Sequence, residues 1–248
     1  MIHERHTLIL ELLKRHQTLT NQQLSKAVYA SLPTIRRDLN ALESRGLIRR
    51  VRGGATLADL TQQLEVPISL RQREQTREKV TIAHKALSLI PRGATLFLDA
   101  STTVYQLARL LPADYELTVI TNNLRTGALL VQRRVRTYLL GGALNASLSA
   151  LGPYAQDMLR NLRADIMFFS ASALTDDGEI MDFSESEAHL RQLMFARAEK
   201  KYFLCDSSKI GKTSLHRLCH IGEVDGVVTE TEIPQNPLTQ ADIPAKIE

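Results

Sequence analysis

The sequence predicts an α/β protein in two parts, a small basic N-terminal module of short helices and a larger domain built on a mostly parallel sheet. Three observations lead there. Basic charge gathers at the N-terminus, the helical periodicity there is cut into three short pieces, and from about residue 79 helices alternate with short apolar runs. The N-terminal module (1–56) carries the signature of a helix-turn-helix with a β wing, residues 57–77 read as a linker, and 78–248 form the second domain.

A chain of 248 residues exceeds one small domain, and its 44% hydrophobic and 23% charged content is that of a globular protein. No apolar run reaches the roughly 18 to 20 residues that span a bilayer, and the first fifteen residues are amphipathic rather than signal-like, so a cytoplasmic protein without membrane contact is expected. Cys205 and Cys219 lie fourteen positions apart with no CxxC, which predicts reduced, structural thiols. The net charge of +4 is unevenly placed: residues 1–55 hold ten Lys/Arg against four Asp/Glu, leaving the rest at −2. A cationic module beside a near-neutral domain is the footprint of nucleic-acid binding, with a solvated basic surface as the plainer alternative.

In the first element, Leu8, Ile9, Leu12 and Leu13 recur at helical spacing over 6–16. Thr20 and Gln23 form a capping box for a second helix reaching about Tyr29, with Leu24, Ala27 and Val28 inward. Ser31 caps a third, Pro33 sits in its first turn, and Ile35, Leu39 and Leu42 form its stripe until Gly46. That stripe leaves Thr34, Arg36, Arg37 and Asn40 outward, with two guanidinium groups near the N-terminal half. Such a helix in a major groove can set an Arg fork against guanine O6 and N7, worth roughly 1–3 kcal/mol of discrimination. Residues 47–54 alternate apolar and basic and close on glycines, predicting a hairpin whose Arg49, Arg50 and Arg52 neutralise phosphates. The candidate DNA-binding set is Thr20, Ser31, Pro33, Thr34, Arg36, Arg37, Asn40, Arg49, Arg50 and Arg52.

The run TIRRDLNALE (34–43) followed by GLIRRVRGG (46–54) strongly resembles the DeoR family of bacterial repressors. Tyr29 stands where that family commonly has a glycine, followed by Ala30 in place of a larger apolar residue; a tyrosine disfavours a left-handed turn residue there.

From residue 79 the expected order is helix 82–90, strand 95–99, helix 104–111, strand 117–121, helix 126–132, strands 137–140 and 166–171, helix 187–199, and strands 202–206 and 224–229. Ligands of such sheets sit beyond the carboxyl ends of the strands. There this sequence places Asp99-Ala-Ser-Thr-Thr103, then Thr121 with Asn122, then Gly141 with Gly142, and Asp206-Ser-Ser-Lys209, whose cation suits a phosphate. Any one of these taken singly is read as a cap or a tight turn; their joint placement is read as a site.

The resemblance extends over about 5–230 and implies an effector domain similar to ribose-5-phosphate isomerase, a phosphorylated sugar ligand that loosens binding to operator DNA, and a homo-oligomer (dimer, tetramer or higher). It implies effector contacts at Asp99, Ser101, Thr102, Thr103, Thr121, Asn122, Gly141, Gly142, Ser172, Glu187 and Lys209. Ser101 replaces a usual glycine, and Ser172 stands at about the place of a usual aspartate. No cofactor and no metal is expected. His216, Cys219 and His220 would share a helical face, but the stretch reads as a loop leading into a strand at Val224. The rival readings are a sugar-phosphate isomerase-like enzyme fused to a DNA-binding module, which would need a carboxylate base that the loop 170–174 lacks, and an architectural DNA-binding protein, which leaves the polar strand ends unexplained.

Overall fold

A computed structural model of the chain describes residues 4–16, 18–44, 47–51, 53–57, 71 and 74–231. They fall into two compact units, Met1–Arg73 and Glu74–Glu248.

The first unit comprises α1 (Glu4–His16), β1 (Thr18–Thr20), α2 (Asn21–Ala27), α3 (Leu32–Glu43), β2 (Ile48–Val51) and β3 (Gly54–Leu57). Ile9, Leu10, Leu13, Leu24, Ile35, Leu39 and Leu42 pack with Leu47, which precedes β2, and with Ile48 and Ala55 of the strands. The inward face of α1 is rotated from the expected one: Leu10 is buried and Leu8 is 39% exposed. Ala27 is exposed as well, because α2 ends there. A buried carboxylate ties α1 to α3. Asp38 Oδ2 accepts from Arg5 Nε at 2.6 Å and Oδ1 from Arg5 Nη2 at 3.1 Å, and His6 Nε2 lies 3.0 Å from the same Oδ1. Burial would push the Asp38 carboxyl up, but the bonds from Arg5 and His6 outweigh it and hold the group below the usual carboxylate range.

The hairpin is longer than the sequence suggested. β2 pairs with β3 from Ile48↔Leu57 to Val51↔Gly54, and β1 adds a third antiparallel strand, Thr18↔Thr56 to Thr20↔Gly54. Gly54 therefore lies inside a strand rather than closing the hairpin. A Cβ there would stand 2.2 Å from the Leu19 carbonyl oxygen, so only glycine lets β1 approach. Tyr29 takes φ +50°, the left-handed conformation that its side chain was expected to disfavour. Two bonds between Ser25 and Ala30 hold the turn: Ser25 Oγ donates to Ala30 O at 2.5 Å, and Ala30 N donates to Ser25 O at 3.1 Å. The geometry of the turn thus overrides the local preference of the tyrosine.

The second unit begins with α4 (Thr76–Leu87), earlier than the expected helix because Lys79 is buried on its inner side and interrupts the apolar pattern. It continues with β4 (Thr95–Leu98), α5 (Thr102–Leu110), β5 (Thr118–Thr121), α6 (Leu124–Gln132), β6 (Arg136–Leu139), β7 (Ala143–Leu144), β8 (Ala150–Leu151), α7 (Pro153–Arg160) and β9 (Ala164–Phe169). Then follow β10 (Ala173–Leu174), β11 (Glu179–Asp182), α8 (Glu185–Arg197), β12 (Ala198–Leu204), β13 (His216–His220) and β14 (Gly226–Val228). The main sheet runs β14-β12-β9-β4-β5-β6 with every described pair parallel.

Both faces of this sheet are covered. Leu96 and Leu98 point into a core with Ile82, Val104 and Leu107 from α4 and α5, while Phe97 between them points to the opposite core with Leu159, Leu190 and Met194 from α7 and α8. Burial on both sides is why these strands read as unbroken apolar runs. From β4 the chain moves outward through β5 and β6, then returns to β9 and moves the other way through β12 to β14, so the order reverses between β4 and β9. That is where a doubly wound sheet opens a crevice at its carboxyl edge. Three features were not expected: α7, the β7–β8 hairpin and the small antiparallel sheet β10-β11-β13. His216, Cys219 and His220 lie on β13 rather than a loop; Cys219 is buried in the core, both histidines are partly exposed, and a register shift opposite Ile180 and Met181 interrupts the alternation of the strand.

Candidate functional site

In the first unit the outward surface of α3 and the β2–β3 hairpin are the candidate interface. Thr20 accepts from Gln23 N while the Gln23 side chain accepts from Thr20 N, closing the expected capping box. Ser31 caps α3 through Thr34 N, Pro33 lies in the first turn, and the Ser31 and Thr34 hydroxyls are 2.8 Å apart. Thr20, Ser31 and Pro33 thus have a structural part in starting their helices. Arg36 and Arg37 are exposed. Asn40 and Arg50 are brought together: Arg50 Nη1 donates to Asn40 Oδ1 at 2.6 Å and Arg50 N to Glu43 Oε1 at 2.9 Å, so the hairpin is pinned to the C-terminal half of α3. Arg49 is exposed on β2, and Arg52 lies outside the described residues. The arrangement can hold a line of cations against a polyanion, with two guanidinium groups free to meet whatever enters in front of α3.

In the second unit the site is built around a residue that the sequence did not single out. Arg191, on the inward side of α8, is 4% exposed and sits at the crevice between β4 and β9. Its Nε donates to Asp99 Oδ2 at 2.7 Å, its Nη2 to Glu187 Oε2 at 3.1 Å, and its Nη1 to Asp182 Oδ2. Burial would lower the Arg191 pKa, but Asp182, Asp99 and Glu187 outweigh it and drive the pKa above its ordinary value, so the guanidinium is charged at every working pH. The legible signal was its i, i+4 spacing from Glu187.

Each carboxylate is also fixed from a second side. Asp99, at the end of β4, accepts from Ser101 N at 2.9 Å and Ser170 N at 3.2 Å. Asp182 accepts from the Ser172 hydroxyl at 2.7 Å and from Phe183 N at 2.8 Å, so Ser172 reaches the hub through a carboxylate supplied by β11. Glu187 accepts from Asn145 Nδ2 at 3.0 Å, drawing in the β7–β8 hairpin. Lys209 follows β12; its Nζ donates to Ser170 Oγ at 2.7 Å and lies 3.5 Å from Asp206 Oδ2. Burial would raise the Asp206 carboxyl, but Lys209 and the Ser208 hydroxyl hold it below the usual carboxylate range.

Asn122 and Glu187 line a narrow recess with Ala100, Leu190, Arg191 and Met194. Ser101 caps α5 through Val104 N; Thr102 and Thr103 follow in its first turn, and the buried Thr103 Oγ1 has no hydrogen-bond partner among the described residues. Thr121 accepts from Asn123 N, a turn contact. Gly141 and Gly142 are exposed beyond the end of β6. Gly142 serves backbone packing: at φ +140° a Cβ would lie 2.4 Å from the Leu151 carbonyl oxygen.

A winged helix-turn-helix module joined to a parallel α/β unit with a polar crevice at its switch point defines a ligand-responsive DNA-binding regulator. Residues 5–61 match the DeoR-like helix-turn-helix domain and residues 74–231 the DeoR C terminal sensor domain. The chain belongs to the DeoR family and is a DNA-binding transcription regulator. It is 34% identical over 234 residues to the L-fucose operon activator of Haemophilus influenzae, covering 94% of this chain and 93% of that one. It is 35% identical over 234 residues to the lactose phosphotransferase system repressor of Staphylococcus aureus, covering 93% and 92%. Against a D-ribose-5-phosphate isomerase in complex with phospho-erythronic acid it superposes with a TM-score of 0.42 and 13% identity over 54% of each chain. No helix of the described residues is long and apolar enough to cross a membrane.

Proposed function

We propose that this cytoplasmic protein represses a carbohydrate operon and is released from its operator by a phosphorylated sugar. Residues 1–56 read the operator, 57–77 connect, and 78–248 sense the effector. The observation that carries this reading is the convergence of Asp99, Ser170, Arg191 and Lys209 where the strand order reverses. The related proteins named above are an L-fucose operon activator and a lactose phosphotransferase system repressor, which supports a carbohydrate-derived ligand.

The charges of the hub divide the ligand. One guanidinium faces three carboxylates, so a phosphate dianion is repelled from the recess and sugar hydroxyls are accepted there by Glu187 and Asn122. The phosphate goes to Lys209 and the N-terminal turn of α5, where Ser101, Thr102 and Thr103 offer hydroxyls and backbone N–H groups. The ligand favours the conformation that leaves the operator, so operator DNA must reciprocally weaken effector binding. The carboxylates act as orienting groups rather than bases, since each already accepts from Arg191 and from a second donor.

Isothermal titration with a panel of sugar phosphates, with and without operator duplex, tests the reading. Saturable binding that weakens on operator is expected; turnover of any sugar phosphate overturns it in favour of an isomerase, and silence across the panel removes the sensor. On DNA, Arg36→Ala or Arg37→Ala should abolish operator discrimination, a loss of roughly 1–3 kcal/mol at the base concerned, whereas Arg49→Ala and Arg52→Ala should each reduce the salt slope by about one. Full discrimination by both helix variants would reject α3 as the reading helix.

A further inference from the structure

The second unit is polarised along the chain. From Leu117 to Gln156 there are four arginines and no Asp or Glu; from Ala164 to Leu190 there are seven Asp/Glu and no Lys or Arg. Folding brings the arginines to one end of the main sheet. Arg125 is on α6, Arg133 and Arg134 follow it, and Arg136 opens β6, the last strand on that side. None of the four has an ion pair among the described residues. Arg133 donates to the Leu111 carbonyl and Arg125 lies over the Tyr105 ring; Arg134 and Arg136 are exposed beside the edge strand, Arg136 engaged there by Tyr138 of the same strand. Arg134 holds φ +62° at the turn into β6, and Arg136 lies 5.6 Å from the centre of the Tyr138 ring and donates to its hydroxyl at 2.9 Å. Around them Val131 is 64% exposed and Tyr138 and Leu139 are each 38% exposed. An edge strand with an open hydrogen-bonding side and exposed aromatic and aliphatic groups is one that folded proteins cover.

The acidic stretch has its own surplus. Asp182 and Glu187 are spent on Arg191, Glu179 pairs with Arg217, and Asp165 accepts from Thr95 N. Asp176 and Asp177 are exposed at the turn between β10 and β11, without an ion pair among the described residues. A basic edge and an acidic turn that do not meet within one chain complement each other between chains.

We propose that the occupant of the β6 edge is a second copy of this protein, whose Asp176–Asp177 turn seats against Arg134, Arg136 and Tyr138. The inference deepens the oligomer expected of the proposed regulator and rests on that reading only for the relevance of assembly, not for the contact. An edge facing its own copy would oppose like charges, so the edge meets the turn; two copies can make this contact twice across a two-fold axis, and its repetition in one direction builds a ring or a larger array.

The test is the mass of the full-length protein by sedimentation equilibrium at low and high salt, with operator binding measured in parallel. The wild type is expected to be larger than a monomer and to lose mass as salt rises. Two variants, R134E/R136E and D176K/D177K, should each fall to a smaller species, with thermal melts showing that both are folded. Mixed in equal amounts, they should recover the wild-type mass, because each reversed surface then faces its complement. Wild-type mass in both variants, a mixture that stays dissociated, or a monomeric wild type overturns the proposal, and operator and effector binding by that same protein leave the regulator reading intact. Weaker operator binding by R134E/R136E at unchanged mass overturns it too, and assigns the edge to DNA.

Discussion

Replacing Arg191 by methionine keeps much of the packing volume and removes the cation that, among the described residues, pairs with Asp99, Asp182 and Glu187 in the crevice. The side chains of all four are between 1% and 5% exposed, so water cannot take over the lost interactions. Breaking a buried ion pair costs about 3–5 kcal/mol, and here three carboxylates lose their common partner, so the upper end applies. Across a domain of this size 1 kcal/mol moves the melting temperature by roughly 2–4 °C, giving an expected drop of about 10–20 °C. Asp182→Asn should behave oppositely: it keeps a side chain of the same shape, lowers a surplus of negative charge, and is expected to cost under about 1 kcal/mol. The double variant R191M/D182N should then be more stable than R191M alone. Thermal melts followed by circular dichroism, with hydrogen exchange over β4, β11 and α8 to place the loss, read all three. If R191M melts within a degree or two of the wild type, or if D182N is the worse of the pair, the account of the hub as an overcharged cluster held by one cation is wrong.

Tyr29→Gly should stabilise the first unit by roughly 0.5–1 kcal/mol, because the left-handed turn costs a tyrosine more than glycine loses in backbone entropy; a lower melting point would contradict this. Gly142→Ala is expected to cost about 1–3 kcal/mol, read by chemical denaturation, since the new methyl meets the Leu151 carbonyl at a backbone angle already unfavourable to it; a neutral result would mean that the β7–β8 hairpin shifts freely. Asp206 has its carboxyl held below the ordinary range, so its contribution is complete above the unfolded value of about 3.9 and is lost as pH falls through the lower folded value. Asp206→Asn should accordingly flatten the acid limb of a stability profile while lowering stability at neutral pH, and an unchanged limb would separate Lys209 from that role. Burial pushes the thiols of Cys205 and Cys219 up to about 12, so neither should react with iodoacetamide in the folded protein at neutral pH.

Local patterning by itself determined the helix-turn-helix, the parallel sheet and most of the polar strand ends. Caps and stripes such as Thr20 with Gln23, or Ile35, Leu39 and Leu42, act over one or two turns, and strands buried on both faces must be apolar throughout. Resemblance to a family added Glu187 and Ser172 to the expected site. Tertiary structure alone decided what those residues touch. Arg191 carries no local mark beyond its spacing from Glu187, because its partners Asp99 and Asp182 come from other elements and meet it only when α8 packs against the sheet. Gly54 and Gly142 look like turn glycines in the sequence, but folding makes them points of close approach to Leu19 and Leu151. The two-residue strands β7, β8 and β10 fall below the length at which alternation is legible, and β13, though longer, loses its alternation at a register shift against β11; they form because a neighbouring strand offers its hydrogen bonds. Tyr29 shows the same ordering of effects: its own preference opposes the left-handed turn, and the Ser25–Ala30 bonds, with the packing of the helices on either side, impose it.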